Sequence, residues 1–302
     1  MKALVTGAAG FVGRHLISHL ETHGDVVVGI DREHGIDLLE PSALRDVFER
    51  TRPDVVYHLG GWSDVGASWQ QPLETFRVNA EGTLNVLEAS RATGASRVLI
   101  VSSADVYGRV SLNELPLSEE SPFRPVTPYA ASKIAADELG LQAWLGHGLP
   151  VIRARAFNHL GPGQTNRFVC PAVAERIALS ELDGGEVIPV GNITPRRDFT
   201  DVRDVVRAYR LLIEHGEAGE AYNVCSGHDV AISELADRLI ALARHPMRLE
   251  VDPALQRPVE VPVLRGDYTK LHKDTGWDPA IPLDQTLRDV MEAARISASG
   301  RR

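Results

Sequence analysis

The segment Thr6-Gly7-Ala8-Ala9-Gly10-Phe11-Val12-Gly13 constrains this chain more than any other. Its glycines recur three apart, behind an apolar run, Ala3–Thr6, that reads as a strand, and at the opening of a helix-period run, Phe11–Thr22. Strand, glycine turn and helix N-terminus in that order make a cradle for a pyrophosphate. Gly7 permits the tight turn, Gly10 lets backbone approach the anion at the positive helix end, and Gly13 lets helix pack on strand. The spacing alone is a weak signal; its place between strand and helix is what points to a dinucleotide. Asp31, closing the next strand about 20 residues on, is placed to accept both ribose hydroxyls of an adenosine, which favours NAD. Arg32 follows it and could hold a 2′-phosphate, so NADP stays open. Asp37 and Leu38 are placed for the adenine, although Asp37 reads equally as a surface aspartate.

The remainder of the first half repeats the same rhythm. Strands are expected at Val26–Ile30, Val55–His58, Val98–Ser102 and Val151–Ala154. Helices are expected at Ser42–Arg50, near Pro72–Thr93 as one long element, and near Pro128–Gly146, with Pro41 in a first turn where its missing N–H costs nothing. Strand and helix in alternation build βαβ units and a parallel sheet. After residue 160 the pattern loosens. Helix-like runs near Val169–Leu182, Val202–Glu214, Ile232–Ala243 and Leu283–Ala298 mix with short strands at Val187–Val190 and Ala221–Val224. The fold class is therefore α/β, a Rossmann-like doubly wound parallel sheet with a smaller C-terminal α+β domain. At 302 residues the chain has room for both. The division expected is 1–160, with about 198–228 returning to it, for the dinucleotide, and 161–197 with 229–302 for a substrate.

Tyr129-Ala130-Ala131-Ser132-Lys133 sets tyrosine and lysine four apart, on one face of a helix. An ammonium there is expected to lower the tyrosine pKa by stabilising phenolate, so that Tyr129 exchanges a proton with a substrate oxygen near neutral pH. An exposed helical pair is the ordinary alternative. Ser102-Ser103-Ala104-Asp105-Val106-Tyr107-Gly108 follows the fourth strand, at the carboxyl edge where open α/β sheets bind ligands. Ser103 can share the hydrogen bond to the reacting oxygen. Asp105 is either a further acid or base or a loop carboxylate that caps backbone N–H groups.

Charge and cysteine content exclude other classes. The formal charge is −9, with no basic arm or half, so a nucleic-acid partner is not expected. The two cysteines, Cys170 and Cys225, stand in no metal-binding or disulfide spacing, and no metal site is expected. The first residues enter a strand at once, and no run reaches the ~18 apolar residues of a membrane span. A cytoplasmic protein with no membrane partner is the simplest expectation.

Four motifs in order and spacing, TGAAGFVG, SSADVYG, YAASK and Arg197-Asp198-Phe199-Thr200-Asp201-Val202, resemble those of the extended short-chain dehydrogenase/reductases that act on nucleotide sugars. The resemblance runs over nearly the whole chain. The segment Ala156-Phe157-Asn158-His159-Leu160-Gly161-Pro162-Gly163-Gln164 is similar to that of GDP-mannose 4,6-dehydratases and, more closely, of GDP-4-keto-6-deoxymannose reductases. So are Phe168-Val169-Cys170-Pro171, Tyr222 to Gly227, and Arg257-Pro258-Val259-Glu260-Val261-Pro262. The resemblance implies catalytic Ser103, Tyr129 and Lys133, with Asp105 beside them. It implies cofactor contacts at Gly7, Gly10, Phe11, Val12, Gly13, Asp31, Arg32, Asp37, Leu38, Leu59, Gly60, Asn79, Tyr129 and Lys133. It implies a nucleotide-diphosphate sugar, GDP-linked in preference to UDP-linked, held by Ser103, Asn158, Val169, Arg197, Arg257 and Glu260, arginine being suited to bond two phosphate oxygens at once. Members of the family pair helices equivalent to 72–93 and 128–146 between subunits, so a homodimer is expected.

The chain departs from the family where His-Leu-Ala-Ala is usual: it has His58-Leu59-Gly60-Gly61-Trp62, two Cβ atoms fewer and a large ring more, which is expected to reshape the sugar pocket. Three reactions share the machinery. A reductase carries hydride to a 4-keto sugar while Tyr129 supplies the proton; a 4-epimerase oxidises first and returns hydride to the other face; a 4,6-dehydratase also abstracts the C5 proton, for which Asp105 would be the base. The reductase is the first reading, because the second half is most similar there and Ala104 removes an acid found in many dehydratases. A cofactor-sensing protein without catalysis is the reading from another class, and the presence of both Tyr129 and Lys133 speaks against it.

Overall fold

The computed structural model describes residues 1–255 and 261–300. The first half runs β1 (Lys2–Thr6), α1 (Phe11–Thr22), β2 (Val26–Ile30), α2 (Pro41–Thr51), β3 (Val55–His58), α3 (Val65–Ser68), α4 (Pro72–Phe76), α5 (Gly82–Thr93), β4 (Arg97–Ser103), α6 (Pro128–His147) and β5 (Val151–Ala156). There follow β6 (Asn158–Leu160), α7 (Val169–Asp183), β7 (Val187–Val190), β8 (Arg196–Asp201), α8 (Val202–His215), β9 (Ala221–Val224), β10 (Asp229–Ala231) and α9 (Ile232–Ile240). The chain ends with β11 (Arg248–Val251), β12 (Val263–Leu264), α10 (Thr269–Thr275) and α11 (Leu283–Ser299).

Six strands form one parallel sheet in the order β2-β1-β3-β4-β5-β9. Alternate residues of these strands feed two cores. Ala3, Val5, Val55, Tyr57, Leu99, Ile152 and Ala154 pack with α1 and α8 on one face. Leu4, Val56, Val98, Ile100 and Val151 pack with α2, α5 and α6 on the other. A parallel sheet covered on both faces needs apolar residues at every strand position, which is why these strands read as continuous β-branched runs. The strand order reverses between β1 and β3, so the loops after these strands flank a crevice at the carboxyl edge.

A second core of α7, α9 and α11 surrounds β7 and β8. Here β8 pairs with β6, β10 and β12, and β7 pairs with β11. Among the described residues β8, though it falls in the segment 198–228, pairs with strands of the small sheet, as do residues 158–160, and α8 packs on the large sheet. The single helix expected over 72–93 is broken. A π-turn at Arg77–Glu81 separates α4 from α5, and it carries Asn79.

Candidate active site

The glycine turn is as tight as its spacing predicts. Gly7 has φ +70°, and a Cβ there would stand 2.7 Å from the Gly60 nitrogen, so the loops after β1 and β3 meet backbone to backbone. A Cβ at Gly13 would lie 2.1 Å from the Gly7 carbonyl oxygen. Gly10 is the N-cap of α1, no side chain caps that end, and no acidic residue occupies its first turn. A Cβ at Gly10 would meet only the Gly7 oxygen, at 3.0 Å. The amide end of α1 thus opens on the crevice, and the cradle fits a pyrophosphate.

Asp31 stands at the end of β2, its carboxylate accepting the Ala9 N–H at 3.2 Å and the Glu33 N–H at 3.4 Å, which fixes it beside the turn. Arg32 next to it is exposed. Asp37 accepts the Leu39 N–H at 2.9 Å, and the Leu38 carbonyl accepts from Asn85 Nδ2 at 2.8 Å. The Phe11 ring turns toward the second domain, parallel to His159 at 6.3 Å, while Val12 and Leu59 pack against the sheet core.

Behind this wall runs a buried chain of hydrogen bonds. Thr6 Oγ1 accepts the Gly60 N–H at 2.9 Å and lies 2.8 Å from His58 Nδ1; His58 Nε2 lies 2.9 Å from Thr83 Oγ1, which donates to the Asn79 carbonyl at 2.6 Å. Since Thr83 spends its proton on Asn79, the imidazole donates from Nε2 and Nδ1 accepts from Thr6. Burial pulls the His58 pKa down to about 3, which keeps the ring neutral. Asn79, expected at the cofactor, is buried and spends its amide within the protein. Oδ1 accepts the Trp62 N–H at 2.7 Å, and Nδ2 donates to Ser132 Oγ at 2.8 Å and to the Trp62 carbonyl at 3.2 Å.

Helix α6 enters the site cleanly. Thr127 Oγ1 accepts the Ala130 N–H at 3.0 Å, Pro128 occupies the first turn, and Gly148 closes the helix at φ +68°. Gly140 lets the helix approach β4, since a Cβ there would lie 2.4 Å from Ile100 Cδ1. Tyr129 and Lys133 both face the sheet, each 8% exposed. The Tyr129 phenol faces the Ser103 hydroxyl, whose Oγ accepts the Asp105 N–H at 3.2 Å. Lys133 Nζ donates to the Val101 carbonyl at 2.8 Å.

The electrostatics correct one sequence expectation. Burial, and then the nearby Asp105 carboxylate, push the Tyr129 pKa up, and the group that opposes them is the Ser103 hydroxyl rather than the lysine ammonium. Burial pulls Lys133 down to about 8. A tyrosine that holds its proton at neutral pH suits donation to a substrate oxygen.

On the substrate side, Asn158 is exposed on β6 and pairs in register with Phe199, two residues beyond Arg197 on β8. Arg197 Nη1 donates to the Arg196 carbonyl at 2.9 Å, and Val169 is the first residue of α7. Arg257 and Glu260 lie outside the described residues. At the two glycines after Leu59, Cβ atoms would stand 2.9 Å from Leu38 Cδ1 at Gly60 and 2.7 Å from Asn79 Oδ1 at Gly61. Their absence lets three segments close on one another beneath the site. Among the described residues no cluster of potential metal ligands occurs, and no helix is long and apolar enough to cross a membrane.

Comparison with known proteins agrees with this architecture. Residues 3–225 match the model of the NAD dependent epimerase/dehydratase family. A GDP-6-deoxy-D-mannose reductase of Pseudomonas aeruginosa is 42% identical over 292 residues, 96% of each chain. Among solved structures, RMD from Pseudomonas aeruginosa complexed with NADPH superposes with a TM-score of 0.90 at 40% identity, covering 98% of this chain and 100% of its own. The UDP-glucose 4-epimerase of Thermus thermophilus, in complex with NAD, gives a TM-score of 0.88 at 29% identity, covering 98% and 99%.

Proposed function

The chain belongs to the NAD-dependent epimerase/dehydratase family, and from that premise we propose that it reduces a GDP-linked 4-keto-6-deoxyhexose at C4. The observation that carries this reading is the Ser103–Tyr129 pair: a buried phenol that keeps its proton, set beside a hydroxyl at the sheet edge where the glycine turn opens. Similarity to a GDP-6-deoxy-D-mannose reductase across 96% of the chain names the substrate class. The α1 amides would hold the pyrophosphate of NAD(P), with Asp31 on the adenosine ribose favouring NAD and Lys133 on the nicotinamide ribose. Bound there, the reduced nicotinamide supplies the hydride for C4.

The residues of the chain do the rest. Ser103 steadies the C4 oxygen by a hydrogen bond, and Tyr129 passes its proton to that oxygen as negative charge develops. The Ser103 hydroxyl eases the ionisation of the phenol, and solvent returns the proton afterwards. Asn158, Arg197, Val169, Arg257 and Glu260 hold the nucleotide sugar, the arginines on its diphosphate. Asp105, beside Tyr129, raises the cost of ionising the phenol and so keeps the donor loaded.

Likeness to a UDP-glucose 4-epimerase that binds NAD favours one second reading, a 4-epimerase with retained cofactor. The test of the common core is Tyr129→Phe, which preserves the ring. Turnover should fall roughly 10²- to 10⁴-fold, the worth of a positioned proton donor; unchanged turnover would overturn the mechanism. We further propose a cytoplasmic homodimer. On the helices expected to pair, Val86, Leu87 and Leu139 pack within the subunit, whereas Leu73, Phe76, Leu84 and Leu145 are exposed and support a contact through the same helices. Light scattering at twice the 32.9 kDa chain mass is the expected result, and a monomer would refute it.

A further inference from the structure

One buried ion cluster beneath the site remains unused by the mechanism. Asp137 lies on α6 one helical repeat beyond Lys133, which itself lies one beyond Tyr129, so the three share the face turned to the sheet. The carboxylate is fully buried. Arg153 and Arg155, alternate residues of β5, converge on it: Arg153 Nη1 donates to Oδ1 at 2.7 Å, and Arg155 donates from Nε to Oδ2 at 3.0 Å and from Nη2 to Oδ1 at 3.1 Å. Both guanidinium groups are themselves less than 10% exposed. Arg155 is further fixed over the Phe123 ring at 4.6 Å and by donation from Nη1 to the Glu119 carbonyl at 2.8 Å; Arg153 Nη2 donates to the Gly219 carbonyl at 2.9 Å.

Two arginines on one carboxylate exceed what ion pairing needs, and burying the excess charge is costly. The surplus makes sense for where it points the carboxylate. Three donors from β5 hold its two oxygens toward the strand, and among the described residues no direct ion pair joins Asp137 to the lysine one turn away, yet its charge still acts through the dry layer between helix and sheet. Lys133 therefore spends one donor on the Val101 carbonyl and keeps two for the site. The other groups around Lys133 give it no anion: from β3 comes neutral His58, from the helix itself Tyr129 with its proton on, and from β5 the two arginines. Asp105, from the turn after β4, acts on Tyr129. Among the described residues Asp137 is the carboxylate that opposes the effect of burial on Lys133.

We propose that Asp137, held by Arg153 and Arg155, is a positioning residue of the Tyr129–Lys133 pair: it keeps the Lys133 side chain charged inside the protein while leaving its amine to face the bound cofactor. The inference rests on the reading of Tyr129 and Lys133 given above, but its test does not use turnover. The chain has only four lysines, Lys2, Lys133, Lys270 and Lys273, so 13Cε-lysine labelling resolves Lys133 by NMR in the cofactor-free protein. Its titration midpoint is expected near 8. Asp137→Asn should lower that midpoint by roughly one unit or more, the effect of removing a nearby opposite charge. Asp137→Glu should restore it. Arg153→Met, which frees one carboxylate lone pair, should raise it. Mere loosening of α6 would move both single variants the same way, so shifts of the same sign overturn the proposal, as does an unmoved midpoint in folded Asp137→Asn. Should Asp137→Asn fail to fold, Arg153→Met decides alone: an upward shift supports the proposal, and an unmoved or lowered midpoint overturns it. A chain that titrates as expected but lacks reductase turnover refutes the proposed function and leaves this inference standing.

Discussion

Gly61→Ala tests the close packing beneath the site more sharply than any change at a catalytic group. The new Cβ would stand 2.7 Å from Asn79 Oδ1, and Asn79 is 1% exposed, so its amide has no water to turn to. Oδ1 accepts the Trp62 N–H at 2.7 Å, and a retreat of about 0.5 Å stretches that bond to the usual 3.2 Å limit. The other end of the amide is tied to Ser132 on the Tyr129 helix at 2.8 Å, so the retreat strains a second bond. Leaving a buried donor unsatisfied costs about 1–3 kcal/mol. Against this, alanine restricts the unfolded chain and returns ~0.4–1 kcal/mol. The expected net loss is about 1–2 kcal/mol, read from urea unfolding of the cofactor-free protein at unchanged m value. The same substitution in an Asn79→Ala background meets no oxygen, and there it should be neutral or slightly stabilising, giving a coupling well above the ~0.5 kcal/mol seen between independent sites. An equal loss in both backgrounds would refute the reasoning, because the cost would then arise from the backbone at 61 and not from the Asn79 contact.

Two further predictions concern acid stability and cofactor choice. Folded His58 takes a proton only near pH 3, whereas the unfolded side chain does so near 6.5, so the unfolded state binds the extra proton and stability falls as pH drops below 6.5. By pH 4.5 this one group accounts for about 2–3 kcal/mol. His58→Gln should remove nearly one proton from the slope of unfolding free energy against pH, and an unchanged slope would show that the histidine titrates normally. Asp31→Ser removes a charged acceptor for ribose hydroxyls and a like charge facing a 2′-phosphate. The ratio of kcat/KM for NADH over NADPH should fall by roughly 10- to 100-fold, the worth of one hydrogen bond to a charged group. A ratio that stays put would move the discrimination elsewhere, with Arg32 the first place to look.

Much of this organisation is legible in the sequence because it is local. The glycine turn, the Thr127-Pro128 start and Gly148 end of α6, and the continuous apolar runs of β1, β3, β4 and β5 each declare themselves within a few residues. What stays hidden depends on contacts across the chain. Nothing around Asn79 signals a π-turn, since its break in helical phase shows only when the amide reaches Trp62 and Ser132. The small sheet is equally silent: β6, β10 and β12 have two or three residues each, too short for any alternation to register. The Tyr129 pKa could not be read from its spacing to Lys133, because burial, Asp105 and Ser103 outweigh the helical neighbour. Asp137 did carry a faint signal, four residues beyond Lys133, but its arginines come from a strand that reads as plain β.

The central claim, net reduction of a keto sugar, is tested most directly by cofactor stoichiometry. Purified protein incubated with a GDP-4-keto-6-deoxyhexose and limiting NADH or NADPH should oxidise one nicotinamide per sugar reduced, followed by loss of absorbance at the reduced-nicotinamide band alongside mass analysis of the product. Conversion of a nucleotide hexose with no net nicotinamide consumed would contradict the account and leave the epimerase reading in its place.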